Sequence, residues 1–124
     1  MVKGPGPVSV YLVRGEDSAL VGQVLRDLLT ALVSDRDPAM VVEEHGGGGT
    51  EEVDVGVVVD ALTTPPMLSD RRVVVLREAG RLLAADAARI AGCLEDPVPG
   101  VSLVLASGGG TVPSALVKLA QSKG

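Results

Sequence analysis

The chain has 124 residues, 46% of them apolar, and 16 acidic residues against 11 basic ones give it a net charge of −5. Tyr11 is its single aromatic residue, so recognition of nucleic acid by stacking bases on aromatic rings is all but excluded. Apart from the Arg71-Arg72 pair the basic residues are scattered, which leaves no electrostatic footprint for nucleic acid; if the protein works near DNA, another chain holds the DNA.

Residues 1–7 (MVKGPGP) lack the apolar run of a signal peptide and read as a flexible tail before one domain, 8–124. Val8 to Val13 is an apolar run suited to a strand. Asp17 or Ser18 then caps a helix on which Leu20, Val24, Leu28 and Leu32, with Val21, Leu25 and Leu29, form one wide apolar stripe. Ser34 to Pro38 breaks that helix, and Ala39 to Glu43 reads as the second strand. His45 and Gly46 to Gly49 read as a loop, after which Thr50 caps a helix that carries Glu51 and Glu52 in its first turn.

Pro65 and Pro66 remove two backbone donors and stop that helix. Beyond them, Val73 to Leu76 is a β-branched run suited to a buried strand. Leu83, Ala87, Ile90 and Leu94 mark a third helix, ending at Asp96-Pro97, and Val101 to Ala106 is a fourth strand. A last helix has Pro113 near its start and Leu116, Val117 and Ala120 inward. Strands apolar on both faces, alternating with amphipathic helices as βαβαβαβα, predict an α/β fold: a parallel sheet in three layers with helices on both faces. The sequence stops where a fifth strand would begin, so a fragment of a longer protein is expected.

Ligands of such a sheet bind beyond the carboxyl ends of its strands. After the first strand, a phosphate loop needs glycines, a lysine and a hydroxyl at fixed spacing. The chain instead reads Gly15-Glu16-Asp17-Ser18-Ala19-Leu20-Val21-Gly22, with two carboxylates where phosphate would lie. After the third strand, a magnesium-binding ATPase carries an acidic pair, whereas Arg77-Glu78 stands here; the same pair argues against a phosphoacceptor receiver domain. Ser107 to Thr111 before a helix N-terminus is the remaining candidate anion site, with a flexible turn as its competing reading. His45 is the only histidine and Cys93 the only cysteine, and nothing in the sequence pairs either with a catalytic partner. No metal or other cofactor is expected, Cys93 reads as a reduced, buried thiol, and a cytoplasmic location fits it.

Met67 and Leu68 fall on the proline-stiffened connector, where a loop is expected. Either they fold back under the sheet as core, or they form a knob for another protein. Full burial of each contributes roughly 1.5–3 kcal/mol, a sizeable part of the ~8 kcal/mol of a micromolar contact.

A nucleotide-type sheet, a ruined phosphate loop and an apolar knob before the third strand together resemble the N-terminal domain of the delta subunit of bacterial DNA polymerase III, a clamp-loader subunit. The resemblance runs from about Val10 to Lys123 and rests on three stretches. Tyr11-Leu12-Val13-Arg14-Gly15-Glu16-Asp17 is similar to the family's hydrophobic strand followed by Gly and acidic residues. Pro66-Met67-Leu68-Ser69-Asp70-Arg71-Arg72-Val73-Val74-Val75-Leu76 is similar to its Ser-Leu-Phe, polar stretch, Arg and valine-rich strand. Val101 to Leu105 matches its fourth strand. The Val-, Ala- and Arg-rich style resembles a high-GC actinobacterial version.

The resemblance implies an AAA+-like core with a degenerate nucleotide site. It implies a subunit of the DNA-directed DNA polymerase holoenzyme, itself no enzyme, that binds and helps open the sliding clamp (the beta subunit) without hydrolysing ATP. Its clamp contact would be Pro66, Met67, Leu68 and Arg71, with Met67 in place of the family's Leu and Leu68 in place of its Phe. A missing C-terminal part would join the other loader subunits. The alternative is an unrelated α/β module that binds an anion or nucleotide at Gly108 to Thr111.

Overall fold

The computed structural model describes residues 10–45, 54–66, 71–77, 79, 82–94, 98, 100–107 and 112–123. Four strands, β1 (Val10–Arg14), β2 (Val42–His45), β3 (Arg72–Leu76) and β4 (Val101–Ser107), form one sheet in the order β1-β4-β3-β2. Every pairing is parallel. Five helices are described: α1 (Ser18–Val33), α2 (Pro38–Val41), α3 (Val55–Thr63), α4 (Ala84–Cys93) and α5 (Ser114–Lys123).

The two central strands show why the predicted three layers form. Successive side chains of a strand point to opposite faces, and in β3 and β4 both sets are apolar. Val73 and Val75 of β3, with Val104 and Ala106 of β4, pack against Leu25, Leu32 and Val33 of α1 and Val41 of α2. Val74 and Leu76, with Leu103 and Leu105, pack against Val58 and Leu62 of α3, Ile90 of α4 and Leu116 of α5. The register sets Val74 beside Leu103 on one face and Val75 beside Val104 on the other. Parallel strands require crossover connections, and the helices that make them cover both faces.

Several boundaries differ from the sequence-based reading. The second strand does not begin at Ala39: a helical turn, α2, comes first, because Asp37 caps the amide of Ala39 at 3.0 Å and Pro38 supplies a ready helical φ. The strand is therefore shifted to 42–45, and His45, read as loop, is its last residue, paired with Leu76. Asp54 rather than Thr50 caps α3, accepting from the amide of Val57 at 3.3 Å. Thr50, Glu51 and Glu52 lie outside the described residues, as do the tail 1–7 and Asp96-Pro97.

Two predicted apolar stripes are narrower than read. On α1, Val21, Leu25 and Leu32 are buried, but Leu20 and Val24 are 58% and 45% exposed, since they line an open groove beside the edge strand β1. Leu83 is the uncapped N-cap position of α4 and is 71% exposed, while Ala87, Ile90 and Leu94 form the buried stripe. Two features follow the reading: Asp17 caps α1, and Pro113 directly precedes α5, its carbonyl accepting from Leu116 at 3.0 Å. Cys93, expected to be buried, is only partly so.

Candidate functional site

Two places bear on function: the carboxyl end of β1, where a nucleotide-binding sheet would hold its ligand, and the connector between α3 and β3. The first is a groove of about 520 Å³ lined by residues from Leu12 to Asp17 and by Leu20, Val21 and Val24 of α1. Its charged groups are Arg14, Glu16 and Asp17. The carboxylate of Asp17 accepts from the amides of Ala19 at 3.0 Å and Leu20 at 3.2 Å. Those amides are the free donors of the helix end, the groups that would meet a phosphate. The chain's own anion takes them.

At the carboxyl ends of β2 and β3, Arg77 turns toward the neighbouring strand and pairs with Glu44, Nε to Oε2 3.4 Å, without hydrogen-bond alignment. Its backbone N–H donates to the His45 carbonyl at 2.8 Å, and the His45 ring meets Glu43 at 2.9 Å. Both carboxylates of β2 thus have partners on the sheet itself. Among the described residues, no group of three or more His, Cys, Asp or Glu side chains could hold a metal ion. Glu78 and the Gly108 to Thr111 loop, with Gly46 to Gly49, lie outside the described residues.

The α3–β3 connector begins where α3 runs out of donors. The carbonyl of Ala61 would ordinarily accept from the N–H four residues on, but that residue is Pro65. Arg72 makes up the loss from the far end of the connector. Its Nη1 donates to the Ala61 carbonyl at 3.1 Å and to the Thr64 carbonyl at 2.8 Å. A cation is also favourable at a helix C-terminus, where the carbonyl ends carry partial negative charge. The Thr63 and Thr64 hydroxyls donate to the carbonyls of Val59 at 2.8 Å and Asp60 at 2.7 Å, which completes the helix end.

Of the four residues singled out for a partner contact, Pro66 and Arg71 are half-buried at the two ends of the connector, and Met67 and Leu68 lie outside the described residues. Sequence reasoning missed Arg72, taken only as a companion of Arg71. The signal was present: a proline that strips a donor from a helix end calls for another donor, and Arg72 opens the next strand.

Neither a family model nor a curated protein matches the chain. A solved structure does, the crystal structure of a DNA polymerase III gamma subunit-related protein from Thermotoga maritima, with a TM-score of 0.67 and 22% identity over 94% of this chain. The two share a fold. The parallel α/β core with helices on both faces expected from the sequence is borne out, and this chain spans 39% of that protein's length.

Proposed function

We propose that residues 8–124 form the clamp-binding domain of a clamp-loader subunit of the delta type, acting within a DNA polymerase III holoenzyme. In this reading the domain docks on the ring-shaped sliding clamp through Pro66, Met67, Leu68 and Arg71, and other loader subunits are its further partners. The observation that carries the reading is the Asp17 carboxylate on the amides of Ala19 and Leu20. It supports a core of nucleotide-binding type that has given up its nucleotide. The fold shared with a DNA polymerase III gamma subunit-related protein supports the holoenzyme context.

The mechanism is differential binding. A subunit that opens a ring must bind the open form more tightly than the closed form, by at least the free energy of opening. Nucleotide need not touch this domain, because neighbouring subunits that use ATP can expose or hide its contact. The Met67→Ala/Leu68→Ala variant should lose binding to the sliding clamp encoded by the same genome, measured by surface plasmon resonance, while its circular dichroism stays that of the parent. Unchanged binding would remove Met67 and Leu68 from the contact. Saturable ATP binding by the domain would favour the anion-binding module instead.

A further inference from the structure

We infer that Arg72 is a positioning residue for this contact: its guanidinium staples together the two ends of the α3–β3 connector, the stretch of sequence that carries the clamp-facing residues. The inference rests on the docking reading above and deepens it.

The chain leaves α3 at Thr64 and re-enters the sheet at Arg72. Both points are held by one side chain and its own backbone. The backbone N–H of Arg72 donates to the Gly100 carbonyl at 2.8 Å, and Arg72 lies in register beside Val101. Its side chain reaches back eleven residues to Ala61 and eight to Thr64. The exit and re-entry of the connector are therefore tied to each other and to the sheet.

The tie matters because proline locks φ but leaves ψ free. Pro65 and Pro66 stiffen the connector internally, yet by removing the N–H that would bond Ala61 they also free the end of α3 to splay. Arg72 closes that freedom. Both bonds leave one guanidinium nitrogen, whose two N–H groups point in fixed directions within the plane; a lysine keeps the charge and has donors enough, but its ammonium turns freely on a flexible stem and does not hold the two carbonyls in one geometry. Ordering an unfixed connector at the moment of binding costs affinity.

The test compares Arg72→Lys, Arg71→Ala and Met67→Ala/Leu68→Ala with the parent chain for binding to the same genome's sliding clamp, at a temperature where each is folded by circular dichroism. Arg72→Lys is expected to bind roughly tenfold more weakly than the parent, at full native ellipticity and with its charge retained, which neither a fold defect nor lost charge attraction explains. Clamp binding by Arg72→Lys within about twofold of the parent, with the Met67/Leu68 variant inactive, overturns the role of Arg72 and leaves the docking reading standing. Full binding by the Met67/Leu68 variant sinks the docking reading itself, and this inference with it. If Arg72→Lys fails to fold, Pro65→Ala/Arg72→Lys, which returns a helical donor to Ala61, takes its place; parental affinity in that folded double variant also overturns the inference.

Discussion

The Asp17 carboxylate lies 3.2 Å from the amide nitrogen of Leu20, inside the first turn of α1. One side chain thereby does two things: it satisfies helix-end donors, and it sets a negative charge at the mouth of the groove beyond β1. An N-cap of this kind contributes about 1 kcal/mol. Asp17→Ala is expected to lower the melting temperature by roughly 3–6 °C, whereas Asp17→Asn, an equally good cap, should lower it by less than half as much. Neither variant gains a nucleotide site, because Glu16 remains and no lysine lines the groove. Titration with magnesium-ATP should give no saturable heat for either, and saturation would show that the groove accepts triphosphate.

Two leucines separate the core from its margin. Leu105 is fully buried in β4 beneath α3, α4 and α5, and Leu20 is 58% exposed on α1. The same Leu→Ala change should cost about 2–5 kcal/mol at Leu105 and stay within about 0.5 kcal/mol at Leu20. Urea denaturation of both variants reads the difference directly. Equal losses would mean that Leu20 is covered in solution.

The core was legible because the strands in the middle of the sheet carry no face pattern at all. A run such as Val73-Val74-Val75-Leu76 has to be covered on both sides, and that requirement alone forces helices onto two faces. What was misread lies where hydrogen bonds, not hydrophobicity, decide. Ala39-Met40-Val41 has strand composition, but the cap from Asp37 and the φ of Pro38 turn it into helix. Leu20 and Val24 continue an apolar stripe by spacing, yet they line an open groove beside the edge strand β1 and not the core. The staple from Arg72 to Ala61 joins residues eleven apart, beyond the range of any helical or strand period.

The pairing of Glu44 with Arg77 at 3.4 Å looks like an interstrand lock, but both side chains are more than a third exposed. Pairs of this kind contribute about 0–1 kcal/mol and weaken with salt. Glu44→Gln should therefore change the unfolding free energy by about 0.5 kcal/mol or less, and that small difference should shrink further in molar salt. A larger loss by urea titration would show that the pair is effectively desolvated.

Cys93, the last residue of α4, donates from Sγ to the Ile90 carbonyl at 3.0 Å. Burial pushes its thiol above the ordinary value, against smaller downward pulls from a hydrogen bond with its own backbone and from the Arg89 charge. The folded state therefore holds the thiol proton more tightly than the unfolded state does. The resulting stability is fully present below the unfolded thiol value of about 8.5 and is lost as pH rises through the higher folded value, since in that window the folded chain binds more protons. Lysine and tyrosine side chains in general also titrate at alkaline pH, so the quantity to follow is the difference between the parent and Cys93→Ala. That difference should be flat from pH 6 to 8 and turn against the parent above it, as read by urea unfolding at each pH. Thiol alkylation at pH 8 should be correspondingly slow in the folded protein and speed up in denaturant. A stability difference that stays flat through the alkaline range would mean that the Cys93 thiol is no better protonated in the folded protein than in the unfolded chain.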